Sequence, residues 1–533
     1  MVYRRSAVAL STTALLAGAL AACGGGSGST TGSSGTGQAS AGGGSITVAL
    51  GSAPDTLDPV ETQSRIAGSI LPNICEKLYD IDANLKVNPM LAAALPTISA
   101  DGKAYTIKLR SGVKFNDGTP FDAAAVKTSL ERAKSDKLSA QAANLAPITG
   151  ITVVDPTTVK LTLSAPSAPL LSILADRAGM VASPTQLSKL GEKFGTAPVC
   201  VGPFAFDSRP SSDTIVLKKS QYYYDASQVK LNKVTFQVVT QPNIRAANLR
   251  SGDIQLAADI SPTDAASLQG NAGTTVLSAQ SLGYQLIVLN VSDSHGAGTP
   301  PFTTVSTPLA QHQELRQAFS LALDREQINQ AVYAGQEFPS CNMIPANSPL
   351  YTKETGCGPD LAKAKQLVAA SGVQTPIPVT LIIQASNDLH TKLGTVVQSM
   401  EEQAGFKVTL KPEESVTGGN DAKTGHFDAY ACSWSGRVDP DQNTSIWWSP
   451  TSALNYSGAN YQDINKLQAE ARVATDPAQR KQQYAQLTQA GITAGNYVVL
   501  FHDRLLLGSS KKVTGVNYFS NGVIQLKTAS VTG

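Results

Sequence analysis

Asp101-Gly-Lys-Ala-Tyr-Thr-Ile-Lys-Leu-Arg-Ser-Gly-Val-Lys-Phe-Asn-Asp-Gly-Thr-Pro-Phe121 is the most informative stretch of this chain. It reads as a hairpin-to-helix unit with a structural role, and no ligand contact is assigned to it. Asp122 follows as an N-cap, and Val126, Leu130 and Ala133 recur at helical spacing, so a helix is predicted over Asp122–Ala133. Further out, Ile151–Leu163 reads as a second hairpin in which Asp155-Pro156 turns between β-branched runs. Ser45–Leu50, Val234–Val239 and Gln285–Leu289 are predicted strands. Leu315–Val332 and Lys392–Ala404 are predicted helices, the latter closed by Gly405. Strands and helices alternate without a repeat of 20–50 residues, which argues α/β lobes and against a solenoid or propeller.

At 533 residues the chain holds three or four ordinary domains or two large lobes. Lys and Arg number 42 against 40 Asp and Glu, a formal charge of +2, which gives no electrostatic case for a nucleic-acid partner. One apolar stretch stands out, at the N-terminus. Met1–Ala22 reads as a signal peptide, with Arg4 and Arg5 before the apolar Ala7–Leu20. Leu20-Ala21-Ala22-Cys23 matches the bacterial lipobox, so Cys23 is expected to carry lipid and anchor the protein outside the cytoplasm. Gly24–Gly44 holds ten Gly, five Ser and three Thr. Such a segment is expected to be a flexible tether of 23–44, with a root-mean-square span of roughly 25 Å.

Signatures of catalysis are absent from the sequence. It contains no GxSxG, HExxH or GxxxxGK[ST], and the His residues stand singly at 295, 312, 390, 426 and 502. No enzyme, cofactor or metal is expected. Beyond Cys23 five cysteines remain. Cys341 and Cys357 enclose 15 residues rich in turn formers and are the first choice for a disulfide. Cys75 with Cys200 is the second, which leaves Cys432 as a buried thiol.

Several segments together resemble the family 5 extracytoplasmic solute-binding proteins, the dipeptide/oligopeptide group that serves ABC importers. Leu57-Asp58-Pro59, Asn73-Ile-Cys-Glu76-Lys-Leu78 and Asp101–Phe121 carry the resemblance. So do Pro198–Phe204, where Cys200 and Val201 replace the family's Gly and Thr, Leu249–Ile254, Arg316–Glu326 and Trp434–Asp441. The resemblance implies two α/β lobes joined by a hinge, of the periplasmic-binding-protein type. The first lobe would take 45–283 plus 505–533, with an extra subdomain near 86–190, and the second 284–504. It also implies a ligand held between the lobes and a closed form presented to a permease and its ATPase. A monomer is expected.

In that family the Trp-x-Gly segment lines the cleft, and dipeptide binders place an Asp after the Gly for the ligand's ammonium. Here that position is Arg437, while the segment that carries their carboxylate-binding Arg, about 384–389, contains none. The implied ligand anchor is therefore of opposite sign: Arg437 meets a carboxylate, or else it pairs with Asp439 or Asp441 and braces the loop. Trp434 stacks on ligand or fills the core. Asp439 and Asp441 read first as helix caps, and Asp439 is kept with Trp434 and Arg437 as a candidate ligand-binding residue. Of Tyr222, Tyr223 and Tyr224, at least two are expected to pack. The expected cargo is short peptides, with glutathione-like or other carboxylated solutes as the alternative. A sensor or envelope chaperone using the same cleft is the reading from another class.

Overall fold

The computed structural model describes residues 44–532 apart from 63, 304, 386 and 387. The signal peptide, Cys23 and nearly all of the tether lie outside the described residues. Ser45–Leu50, rich in β-branched residues, buries Ile46, Val48 and Leu50 and lies inside a seven-stranded sheet. In spatial order that sheet runs Thr274–Gln280, Arg504–Ser510, Leu256–Ala258, Ser45–Leu50, Lys233–Val238, Thr214–Lys219 and Phe204–Ser211. Ser45–Leu50 pairs in parallel with both neighbours, Val48 facing Phe236 on one side and Leu256 on the other. A strand covered on both faces reads as a near-continuous apolar run, and this one does.

A second sheet of six strands runs Phe338–Pro339, Tyr497–His502, Tyr284–Leu289, Ala429–Trp434, Ile377–Gln384 and Phe406–Glu413. One face buries Ile287, Leu289, Leu381, Ala429 and Ala431, and the other buries Leu286, Val288, Ile382 and Trp447. At about 1.5–3 kcal/mol for each large apolar side chain taken out of water, these two cores hold the lobe together. A third, four-stranded sheet between Thr97 and Leu163 contains the second hairpin, Ile148–Asp155 with Thr158–Leu163, whereas of the first only Ala104–Lys108 joins it, between Thr97–Ile98 and Thr158–Leu163. There Asp122 accepts from the Ala125 N–H at 2.9 Å and caps the helix Ala123–Ser135.

The chain crosses from the first sheet to the second through Ser281-Leu282-Gly283 and returns at Asp503. The two crossings are bonded to each other, the Ser281 N–H donating to the Asp503 carbonyl at 2.8 Å. Two lobes joined by a pair of short crossings is the arrangement that hinge closure uses.

One predicted helix is broken. Leu315–Val332 is two helices, Gln313–Ala322 and Arg325–Tyr333, with Leu323 extended and Asp324 accepting from the Glu326 and Gln327 N–H groups. The apolar spacing continues through the break, but the Asp324 cap starts a new helix direction. Disulfides join Cys75 to Cys200 and Cys341 to Cys357, and Cys432 is free. Tyr223 and Tyr224 both donate to the buried Glu76, and Tyr222 covers Gly118; Tyr223 is buried, Tyr222 half-buried, and Tyr224 partly exposed.

Candidate functional site

The strand Ala429–Trp434 alternates small residues toward one core with Tyr430, Cys432 and Trp434 toward the other face, the period of two that a pleated strand imposes. Trp434 lies opposite Tyr284 at the start of the neighbouring strand, beside the crossing. From there the chain turns through Ser435 and Gly436. A Cβ on Gly436 would stand 2.1 Å from the Leu282 carbonyl carbon, and one on Gly283 would stand 2.2 Å from the Trp434 carbonyl oxygen. Gly436 also has φ of +76°, which a side chain resists. The Trp-x-Gly pattern is therefore a fit of the loop onto the hinge crossing.

Asn443 pins Trp434 and Arg437 on either side of that turn. Its side-chain oxygen accepts from Trp434 Nε1 at 3.0 Å and from the Arg437 backbone N–H at 2.6 Å, and its amide donates to the Arg437 carbonyl at 2.8 Å. Arg437 lays its guanidinium over the Trp434 ring, 4.8 Å from the centroid. Its Nη1 donates to Ser435 Oγ at 3.1 Å and to the Gly436 carbonyl at 2.6 Å. Among the described residues, no carboxylate lies within ion-pair distance of it. Burial pulls its pKa below the ordinary value, and Asp176 across the cleft pulls the other way.

The expected alternative, a brace between Arg437 and Asp439 or Asp441, does not form. Asp439 caps the helix Pro440–Trp448 and accepts two bonds from Arg480, at 2.8 and 2.6 Å. Asp441 is held by Arg472 Nε at 3.1 Å from each oxygen and by Gln468 at 2.7 Å. Asp439 as a ligand contact is thus corrected: it is buried, lines none of the three cavities at this segment, and both its oxygens are engaged by Arg480 and the Asp441 N–H.

Three adjoining cavities meet at this segment. The largest, about 420 Å³, has Asn144, Pro147 and Ser167 on the first-lobe side and Trp434, Arg437 and Ser445 on the other. The Gln442 amide donates across to Asn144 Oδ1 at 3.0 Å. A smaller cavity of about 70 Å³ places Lys77, Asp176 and Arg177 against Ser435–Val438. The third, about 370 Å³, lies by the return crossing, with Arg65 and Asp259 facing Glu337, Trp434 and Asp503. Burial and the neighbouring Asp503 push Glu337 up to about 7. Among the described residues, one group of three potential metal donors occurs, Cys341, Glu354 and Cys357, and its two sulfurs are joined to each other. That leaves a single carboxylate, too few ligands for an ion.

Asn443 and Arg480, which set the geometry, were not identified from the sequence. Asn443 sits on a helix that begins after Asp439, and Arg480 is 41 residues beyond its partner. The one signal available was the chemistry of their partners: a buried Asp needs a cation, and an indole N–H needs an acceptor.

Two α/β lobes with polar cavities between them and a tryptophan–arginine pair at their junction define a substrate-binding protein of the kind that serves ABC importers. The chain belongs to the bacterial extracellular solute-binding proteins, family 5, whose middle-region model matches residues 86–455. It is 28% identical over 487 residues to the glutathione-binding protein GsiB of Escherichia coli O1:K1, covering 88% of this chain and 91% of that one. The ABC transporter substrate-binding protein CtaP of Listeria monocytogenes superposes with a TM-score of 0.82 at 22% identity, covering 92% of this chain and 100% of its own. AgaA of A. tumefaciens R10, solved with agropinic acid, gives 0.75 at 25% identity, covering 92% and 99%.

Proposed function

We propose that the protein is a lipid-anchored receptor, tethered through Cys23, that captures short peptides between its lobes and delivers them to an ABC permease. The observation that carries the reading is Arg437. It is a half-buried guanidinium shared by two of the three cavities, stacked on Trp434, with no carboxylate of the described residues paired to it. A ligand carboxylate supplies that missing charge and meets a bidentate fork. A ligand that bridges both lobes favours the closed state, which the permease would then engage. Other carboxylated solutes fit the same anchor, and the likeness to a protein named for glutathione binding favours that second reading.

Native mass spectrometry of the protein purified without denaturation tests this. Short peptides released from the cleft are expected, and their binding should weaken in Arg437→Ala. A bound species without a carboxylate, or an affinity unchanged in Arg437→Ala, overturns the reading. Lipid labelling that persists in Cys23→Ser overturns the anchor.

A further inference from the structure

A fourth cavity, of about 200 Å³, lies within the second lobe and borders the cleft at Ser433. It sits at the C-terminal ends of Ile377–Gln384, Phe406–Glu413 and Ala429–Trp434, which run parallel to one another. Crevices outside the carboxyl ends of parallel strands are where open α/β sheets bind ligands. Its walls are aromatic. Tyr430 meets Tyr456 edge-on at 6.0 Å between centroids, and Trp447 meets Tyr456 in the same way at 6.0 Å.

Two buried polar atoms on those walls have no hydrogen-bond partner among the described residues. Trp447 is 1% exposed, and its indole N–H has no hydrogen-bond partner among the described residues. Glu413 gives one oxygen to Lys411 at 2.6 Å, while its buried Oε2 has none. Tyr430 and Tyr456 add hydroxyl groups to the wall, and Cys432 is in neither disulfide. The walls thus offer donors at Trp447 and the tyrosines and an acceptor at Glu413. No Lys or Arg lines the cavity, and burial lowers the pKa of His390 on its wall, so a second ligand carboxylate finds no fixed positive charge there and would face Glu413 and Glu414. A purely apolar group would leave the Trp447 N–H and Glu413 Oε2 desolvated and unpaired. With Lys411 already on Glu413, and an indole N–H in the wall, a cation finds a poor match.

We infer that this pocket selects an uncharged side chain carrying both a hydrogen-bond donor and an acceptor, an amide or hydroxyl group, on a peptide whose carboxylate is held at Arg437. The inference rests on the peptide reading of the cleft. Tyr430 and Trp434 are four residues apart on one strand, about 13 Å, a span that an extended tetrapeptide covers.

The test is calorimetric titration of the full-length protein with tetraglycine peptides carrying Gln, Glu, Leu or Lys at each position in turn. Gln, Glu and Leu are nearly equal in size, so the comparison isolates hydrogen bonding and charge. At one position Gln should bind roughly tenfold or more tighter than Glu and Leu. That preference should shrink to within about twofold in Tyr430→Phe/Tyr456→Phe, which keeps the rings, while dependence on Arg437 persists. Arg437-dependent binding with no Gln preference at any position overturns the pocket and leaves the peptide reading standing, and a preference for Lys or Leu there overturns it in favour of a cation or apolar site. Absence of binding by the whole panel overturns both.

Discussion

Arg437 and Arg480 are the same side chain in two opposite situations. Both stack on an aromatic ring, Arg437 over Trp434 at 4.8 Å and Arg480 over Tyr484 at 5.3 Å. Arg480 uses four of its five donors: two bonds to Asp439, one to the Ala471 carbonyl and one to the Tyr484 hydroxyl, with its pKa held above the ordinary value. Arg437 reaches only Ser435 and its own preceding carbonyl with its guanidinium, and burial lowers its pKa. A guanidinium paired with a buried carboxylate on both of its terminal nitrogens locks two helices together. One that keeps donors facing a cavity has been desolvated for something that arrives from outside. On the proposed reading, the difference separates a structural arginine from a binding one without reference to any relative.

The strongest way to break the comparison is Arg480→Ala. It leaves Asp439 buried without its cation and should cost about 3–5 kcal/mol in chemical denaturation. A loss below about 1 kcal/mol would mean that Asp439 is solvated or protonated at no cost. Next is the carboxyl counterpart. Glu337, pushed to about 7, keeps a proton in the folded state that the unfolded chain releases near its ordinary 4.5. Stability should therefore fall as pH rises between those values, by up to about 3 kcal/mol. Glu337→Gln should flatten that slope, and equal slopes in the two proteins would count against it.

Arg437→Ala should leave the denaturation midpoint nearly unmoved while weakening the binding of carboxylated peptides by about 1.5–3 kcal/mol, the scale of a charge-assisted bond. A fold that collapses instead would return Arg437 to the structural class. The smallest expected effect is at Asp176, across the cleft. Asp176→Asn removes a competing negative charge and should tighten anionic ligands about two- to fivefold, more at low than at high salt. Weaker binding would show that Asp176 holds the ligand itself.

The lobes were legible because local patterns repeat: Ser45–Leu50, the hairpin to Leu163 and the Asp122 cap each carry their own signal in a few consecutive residues. Trp434 and Arg437 were legible because the segment around them is a motif. The break after Ala322 was not, because Leu321, Ile328 and Val332 keep helical spacing across it and the Asp324 cap is a single residue. The Asp439–Arg480 pair was not, because nothing within a few residues of an Asp says which of many distant arginines will fold onto it. Local grammar fixes elements, whereas charge partners are settled by packing.

The contact between Gly436 and the Leu282–Gly283 crossing has a practical meaning for anyone redesigning the cargo preference. Any residue with a side chain at 283 or 436 collides with backbone, at 2.2 Å or less, and no rotamer relieves it. Those two codons should be held fixed in a mutagenic library. Ser433 and Ser435 between them are exposed and border the cavities, so diversity belongs there. A selection that randomised the whole 433–437 loop would spend most of its clones on proteins that cannot assemble their own hinge.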